Sequence, residues 1–176
     1  MMAVPFFGDE EQMRDLLIKW LGDNGFIARR RLHIKSFEID VAAIAPAVIT
    51  KEGVRSARER YVYAFEAKIA TSYKLTKDVV EQATIRLLAA DYVYIVVPRK
   101  AEIWEDGETK KTIEPPAIVN KRASGVYSKS IGIIAMEPNG TVEVVRTARK
   151  SGLTIKELRD LVLKELSKEG RVRPLY

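Results

Sequence analysis

Residues 37–70 read FEIDVAAIAPAVITKEGVRSARERYVYAFEAKIA, two apolar stretches on either side of a charged one. Phe37 to Ile49 is rich in Ile, Val and Ala and predicts a strand with Glu38 and Asp40 on one face. Thr50 to Arg60 reads as a polar connection. Tyr61 to Ile69 predicts a second strand, with Val62, Ala64, Glu66 and Lys68 on one face and Tyr61, Tyr63, Phe65 and Ala67 on the other. The tyrosine face is expected to be core, and the Glu66 and Lys68 face to meet polar surroundings. Residues i and i+2 of a strand share a face, so the Glu66 carboxylate and Lys68 ammonium emerge together. Pairing of the two strands as a hairpin brings Asp40 beside them.

Working outward, Phe26 to Ile34 is a further extended stretch. Asp9 to Leu21 places Met13, Leu16, Leu17, Trp20 and Leu21 at helical spacing, and Gly22 and Gly25 end that helix. Asp9 and Gln12 have capping-box spacing, and Glu10 projects onto the same stripe as Met13 and Leu17. A carboxylate on that side needs a partner. Downstream, Thr76 to Ala90 predicts a helix opened by Thr76, and Asp91 to Pro98 (DYVYIVVP) a central strand covered on both faces. Strand, helix and strand make a crossover, so the two strands should be parallel. Lys100 to Ser128 reads as loops with at most one short helix. Ser130 to Met136 and Thr141 to Val145 flank Asn139-Gly140 as a hairpin. Thr154 to Lys168 is a last amphipathic helix, with a capping box at Thr154 and Glu157 and with Ile155, Leu158, Leu161, Val162 and Leu166 inward. The expected fold class is α/β, a mixed β-sheet flanked by helices in one domain over residues 1–176, its C-terminal part being the hairpin and helix of residues 130–168.

Composition narrows the chemistry. The 176 residues are 47% hydrophobic and 31% charged, as in a globular protein, and no apolar run is long enough to span a bilayer. The opening MMAVPFFGDEE lacks the pattern of a secretory signal, so a cytoplasmic location is expected. There is no cysteine, which excludes disulfides, thiolate metal sites and cysteine nucleophiles. The one histidine, His33, reads as a partly exposed strand residue rather than a base. Two glutamines and three asparagines against 30 Lys+Arg and 24 Asp+Glu fit a heat-adapted source. The net charge of +6 suggests a polyanionic partner, with nucleic acid the usual candidate.

Glu10, Asp40, Glu66 and Lys68 thus fall on neighbouring elements. Converging carboxylates without histidine or thiol make a hard oxygen site suited to magnesium or manganese. A lysine beside it suits metal-assisted phosphodiester hydrolysis. Asp40 in FEIDVAAI followed by Glu66-Ala67-Lys68 resembles the PD-(D/E)xK motif of restriction-endonuclease-like nucleases. The resemblance covers roughly residues 9–98, the motif core, and implies a restriction-endonuclease-like sheet. In that family a first helix bears a glutamate, here Glu10, and a helix after the Glu-x-Lys often bears a glutamine, here Gln82. The order of elements is also similar to archaeal Holliday-junction resolvases. Ile39 stands where the motif's name has proline, and the 26 positions from Asp40 to Glu66 exceed the usual resolvase spacing.

The resemblance implies a divalent-metal-dependent DNA endonuclease in which Asp40 and Glu66 hold Mg2+ or Mn2+, Lys68 positions or activates water, Glu10 completes the acidic site and Gln82 supports it. Eight basic residues against four acidic ones lie between Arg29 and Arg60, where Arg30, Lys51, Arg55, Arg58 and Arg60 are candidates for holding a phosphate backbone. Arg171 and Arg173 form a smaller basic patch. A homodimer built on the last helix or on the 130–145 hairpin fits this reading, as does a monomer. The alternatives are a non-catalytic DNA-binding or accessory protein with a nuclease-like fold, and an interaction protein whose acid and lysine pairs are ordinary surface pairs.

Overall fold

The Asp40 to Lys68 hairpin lies at the centre of the molecule. A computed structural model describes residues 6–69 and 72–172, with side chains up to residue 168, so the Arg171 and Arg173 side chains lie outside the described residues. Helix α1 (Glu10–Asp23) precedes an antiparallel meander of β1 (Ile27–Ile34), β2 (Phe37–Thr50) and β3 (Gly53–Ala67). Helix α2 (Tyr73–Arg86) crosses over to β4 (Tyr92–Pro98), which is parallel to β3 as the crossover predicts. A second connection holds a small hairpin, β5 (Ala101–Trp104) and β6 (Lys110–Ile113), and helix α3 (Pro115–Arg122). It leads to β7 (Gly132–Met136), parallel to β4, and β8 (Val142–Arg146) returns antiparallel through the Asn139-Gly140 turn. Helix α4 (Lys156–Val172) follows. The six-stranded mixed sheet has the order β1-β2-β3-β4-β7-β8.

Both sheet faces are covered. On one, Val79, Val80 and Ala83 of α2, Val119 of α3 and Val162 and Leu166 of α4 pack on Leu32, Ile39, Val62, Ala64, Val93 and Ile95. On the other, Met13, Leu17 and Leu21 of α1 cover Tyr63, Phe65, Tyr94 and Val96. The Tyr61-to-Ala67 face is core, as expected. Its opposite face is core too, since α2 and α4 cover Val62 and Ala64, and Glu66 is left as a 4% exposed carboxylate at the strand's end. The apolar stripe of α4 is used against the chain's own sheet. No helix among the described residues is long and apolar enough to cross a membrane.

Several boundaries differ from the sequence reading, each for a local reason. Thr50 to Arg60 is strand on both sides of a tight turn, rather than a loop. The turn closes at Lys51 and Glu52, with Gly53 at φ +134° and the Thr50 hydroxyl donating to the Gly53 carbonyl at 2.9 Å. This ribbon explains the long Asp40-to-Glu66 spacing. Pro46 has no N–H for the ladder, and there the register slips: Ala45 pairs with Tyr61 but Ala47 with Ser56, so residues 57–60 lie opposite Pro46 alone. Beyond the slip the ribbon packs on the aromatic face. The Tyr63 hydroxyl donates to the Ala47 carbonyl at 2.9 Å and accepts from the Ile49 amide at 3.2 Å.

Helix α2 is capped by Ser72, whose hydroxyl accepts from the Leu75 amide at 3.2 Å, whereas Thr76 is fully buried in its first turn. In the 100–128 region the small hairpin replaces expected loops, because Ala101, Ile103 and Ile113 have an apolar cluster of their own. Thr154 does not cap α4. Its hydroxyl donates to the Ala90 carbonyl at 2.9 Å, the helix starts at Lys156, and Ile155 is exposed.

Candidate active site

Asp40 and Glu66 become neighbours through strand register. Val41 pairs with Phe65, which sets Asp40 and Glu66 at the next position along the β2–β3 ladder. The Asp40 amide donates to Glu66 Oε2 at 3.1 Å, and the Ala67 amide donates to Asp40 Oδ2 at 2.9 Å. The Lys68 amide donates to the Val96 carbonyl at 3.0 Å, holding the end of β3 against β4. In β1, Arg31, the residue between the pairs Arg30–Val41 and Leu32–Ile39, adopts φ +54°, a strained conformation for a non-glycine residue directly across from Asp40.

Helix α1 supplies the other wall. Asp9 caps it by accepting from the Gln12 amide at 2.9 Å, which aims the first turn at the ends of β2 and β3. Glu10 Oε2 accepts from the Ile69 amide at 3.2 Å and lies 3.8 Å from the Lys68 ammonium. One turn on, Arg14 Nε donates to Asp40 Oδ1 at 2.7 Å, and Arg14 Nη2 reaches Glu10 Oε1 at 3.3 Å. From α2, Arg86 Nη2 lies 3.3 Å from Glu66 Oε1, with its guanidinium 5.2 Å from the centre of the Phe37 ring.

These groups line one open cavity of about 200 Å³ together with Glu38 and Gln82. Glu10, Asp40, Glu66, Lys68 and Gln82 are therefore brought together. Gln82 sits exposed on the cavity wall and makes no hydrogen bond to Asp40 or Glu66 among the described residues. His33 is largely exposed, 3.2 Å from Glu38 and outside the cavity. Arg14 and Arg86 were missed in the sequence. Both stand four residues after a named candidate, Glu10 and Gln82, on the same helix face, and that spacing was the available signal.

Burial raises Glu66 from 4.5 to about 7, with Arg86 and the Asp40 amide offsetting part of the loss of solvation. Burial also raises Asp40, against the Ala67 amide and Arg14. Burial opposes the charge of Arg14, yet Asp40, Glu10 and Glu11 together hold it above its ordinary value. Loss of solvation, rather than a lack of nearby cations, is thus what raises the two carboxyls, since Arg14, Lys68 and Arg86 all line the cavity.

Asp40 and Glu66 offer carboxylate oxygens, the ligand type that hard divalent cations take. Asp40 Oδ1, Asp40 Oδ2 and Glu66 Oε2 each accept one hydrogen bond, and Glu66 Oε1 faces Arg86 as an ion pair, leaving a lone pair on each oxygen. Magnesium is commonly held by one or two carboxylates plus substrate phosphate oxygens. Among the described residues no three or more His, Cys, Asp or Glu side chains group so as to hold a metal ion; the Glu10 carboxylate joins Asp40 through Arg14 rather than directly.

The basic candidates do not surround this cavity. Lys51 lies at the far end of the ribbon, past Thr50, which ends β2 about 33 Å along the strand from Asp40. Arg55, Arg58 and Arg60 are exposed along the same ribbon. Arg30 is held by Asp15 and Glu11 of α1, so its charge is already matched. No family model, curated protein or solved structure matches the chain.

Proposed function

We propose that the protein is a restriction-endonuclease-like, divalent-metal-dependent DNA nuclease that hydrolyses phosphodiester bonds at the cavity between α1, β2, β3 and α2. The observation that carries this reading is the pairing of Asp40 with Glu66 across the β2–β3 ladder, with Lys68 on the next turn of the pleat and all three facing one polar cavity. Asp40 and Glu66 would hold Mg2+ or Mn2+, which when bound supplies Lewis-acid stabilisation of a phosphoryl oxygen. Lys68 would orient the attacking water or stabilise a phosphate oxygen by donating from Nζ. Glu10 positions the Lys68 ammonium and the Arg14 guanidinium. Arg86 keeps Glu66 in place by its ion pair. Gln82 supports the substrate at the cavity wall, and the exposed ribbon from Lys51 to Arg60 tracks the DNA backbone by charge.

The test is cleavage of labelled single-stranded, duplex and four-way-junction DNA at elevated temperature, with Mg2+ or Mn2+ against EDTA. Cutting is expected only with metal. It should fall about 10²- to 10⁴-fold in Lys68→Ala and be lost in Asp40→Ala. Wild-type protein that binds DNA without cutting under any of these conditions refutes the nuclease. That outcome supports the second reading, a non-catalytic DNA-binding protein of this fold, which the pairing of Arg14 and Arg86 with the site carboxylates favours.

A further inference from the structure

A second cavity of about 200 Å³ is lined in part by Ile69, the residue after Lys68. Phe6, Ile69, Pro98 and Trp104 supply apolar walls, and Lys100 and Lys110 bring positive charge against Glu102. Trp104 is 59% exposed, which is unusual for the largest apolar side chain. Its ring gains nothing from the hairpin core of Ala101, Ile103 and Ile113, since it stands on the opposite face of β5. The Lys110 ammonium lies 5.0 Å from the ring centre and 4.0 Å from Glu102. Lys100 makes no ion pair among the described residues. Ile69 ties the aromatic cavity to residues of the acidic one: it lines the aromatic cavity, follows Lys68 directly, and its amide donates to Glu10 Oε2 at 3.2 Å.

We propose that this pocket receives an unpaired nucleobase, stacked on Trp104, of the strand whose phosphate lies beside Lys68, so that the substrate class is single-stranded or locally unpaired nucleic acid. The placement of the phosphate rests on the nuclease reading above. A base inside a continuous duplex has both faces stacked and its edge paired, so it must leave the stack before an aromatic ring can cover it. A base in a single strand has its face free, and stacking with flanking lysines accepts any base. Lys100 and Lys110 complement the phosphates on either side of that base.

Trp104 emission gives a direct readout in a Trp20→Phe background, since the chain has only these two tryptophans. Titration is done in EDTA, so that no strand is cut, with a thymidine oligonucleotide, the same strand carrying abasic positions, and a blunt duplex of equal length. The unmodified single strand should quench Trp104 and the other two should not. In an anisotropy assay, Trp104→Ala should weaken single-strand binding by about tenfold or more, with duplex binding unchanged and Trp104→Phe keeping most of the affinity. Equal quenching by duplex and single strand, or single-strand affinity unchanged in Trp104→Ala, overturns the proposal. Cleavage separates it from the nuclease reading. If Trp104→Ala cuts duplex and single strands as the wild type does, the base pocket fails and the nuclease stands. If nothing is cut while single strands still quench Trp104, the nuclease fails and the base site stands.

Discussion

Replacing Glu66 by Gln should remove most of a pH dependence that this one buried carboxyl imposes on stability. In the unfolded chain Glu66 titrates near 4.5 and in the folded protein near 7. Between those values the folded state holds a proton that the unfolded state has released, so the folded state binds more protons and stability falls as pH rises. The favourable contribution is complete below pH 4.5 and gone once pH has passed about 7. A difference of that size corresponds to about 3 kcal/mol. For a chain of this length it amounts to a drop of about 6 to 12 °C in Tm between pH 5 and pH 8. Asp40 is raised in the same direction and adds to the slope. The amide of Glu66→Gln has no proton to lose, so the variant keeps only the Asp40 part and the background. The assay is thermal unfolding by circular dichroism in EDTA at pH 5 and pH 8 for both proteins. The gap in Tm between wild type and Glu66→Gln should change by several degrees across that range. An identical gap at both pH values would mean that Glu66 titrates normally and that the buried-carboxylate account is wrong.

Three further outcomes follow from the same geometry. Arg14→Gln removes the guanidinium bonded to Asp40 Oδ1 and Glu10 Oε1, so Mn2+ affinity measured by calorimetry should rise several-fold; unchanged or weaker binding would mean Arg14 does not compete for those oxygens. Asp91, 4% exposed, accepts from the Val62 amide at 2.7 Å and from Arg159 Nε at 2.9 Å, so Asp91→Ala strands both donors and should cost about 3 to 5 kcal/mol in urea unfolding. Arg159→Met alongside it should restore part of that loss. A Cβ on Gly132 would collide with the Tyr94 ring, whose hydroxyl is pinned between the Ala148 amide at 3.1 Å and the Ile49 carbonyl at 3.3 Å. Gly132→Ala should therefore lower stability by about 1 to 3 kcal/mol and change the near-ultraviolet tyrosine signal, whereas the solvent-facing Gly152→Ala should do neither.

What periodicity controls was legible in the residues themselves. Alternation placed Asp40 and Glu66 on strands, with Lys68, expected on the same strand, standing one residue past the end of β3; helical spacing placed Glu10 above them, and the strand-helix-strand order fixed β3 and β4 as parallel. Each of these follows from the backbone's own repeat, which local sequence reports directly. The charged run from Thr50 to Arg60 misled because charge signals solvent, and an edge of ribbon with one wet face is as wet as a loop. Thr76 and Thr154 fit capping patterns, yet their hydroxyls bond the Ser72 and Ala90 carbonyls. Which partner a hydroxyl takes depends on chain brought in from elsewhere.

The candidate site divides in the same way. That two carboxylates and a lysine share a neighbourhood was readable from spacing. That Arg14 sits between Glu10 and Asp40, that Arg86 reaches Glu66, and that the Lys51 end of the ribbon lies far from the cavity instead of beside it were decided by how α1 and α2 pack on opposite faces of the sheet. The raised affinity of Glu66 for its proton has the same origin. Burial is a property of the assembled layers, and a residue pattern along one strand specifies a face without specifying what will cover it.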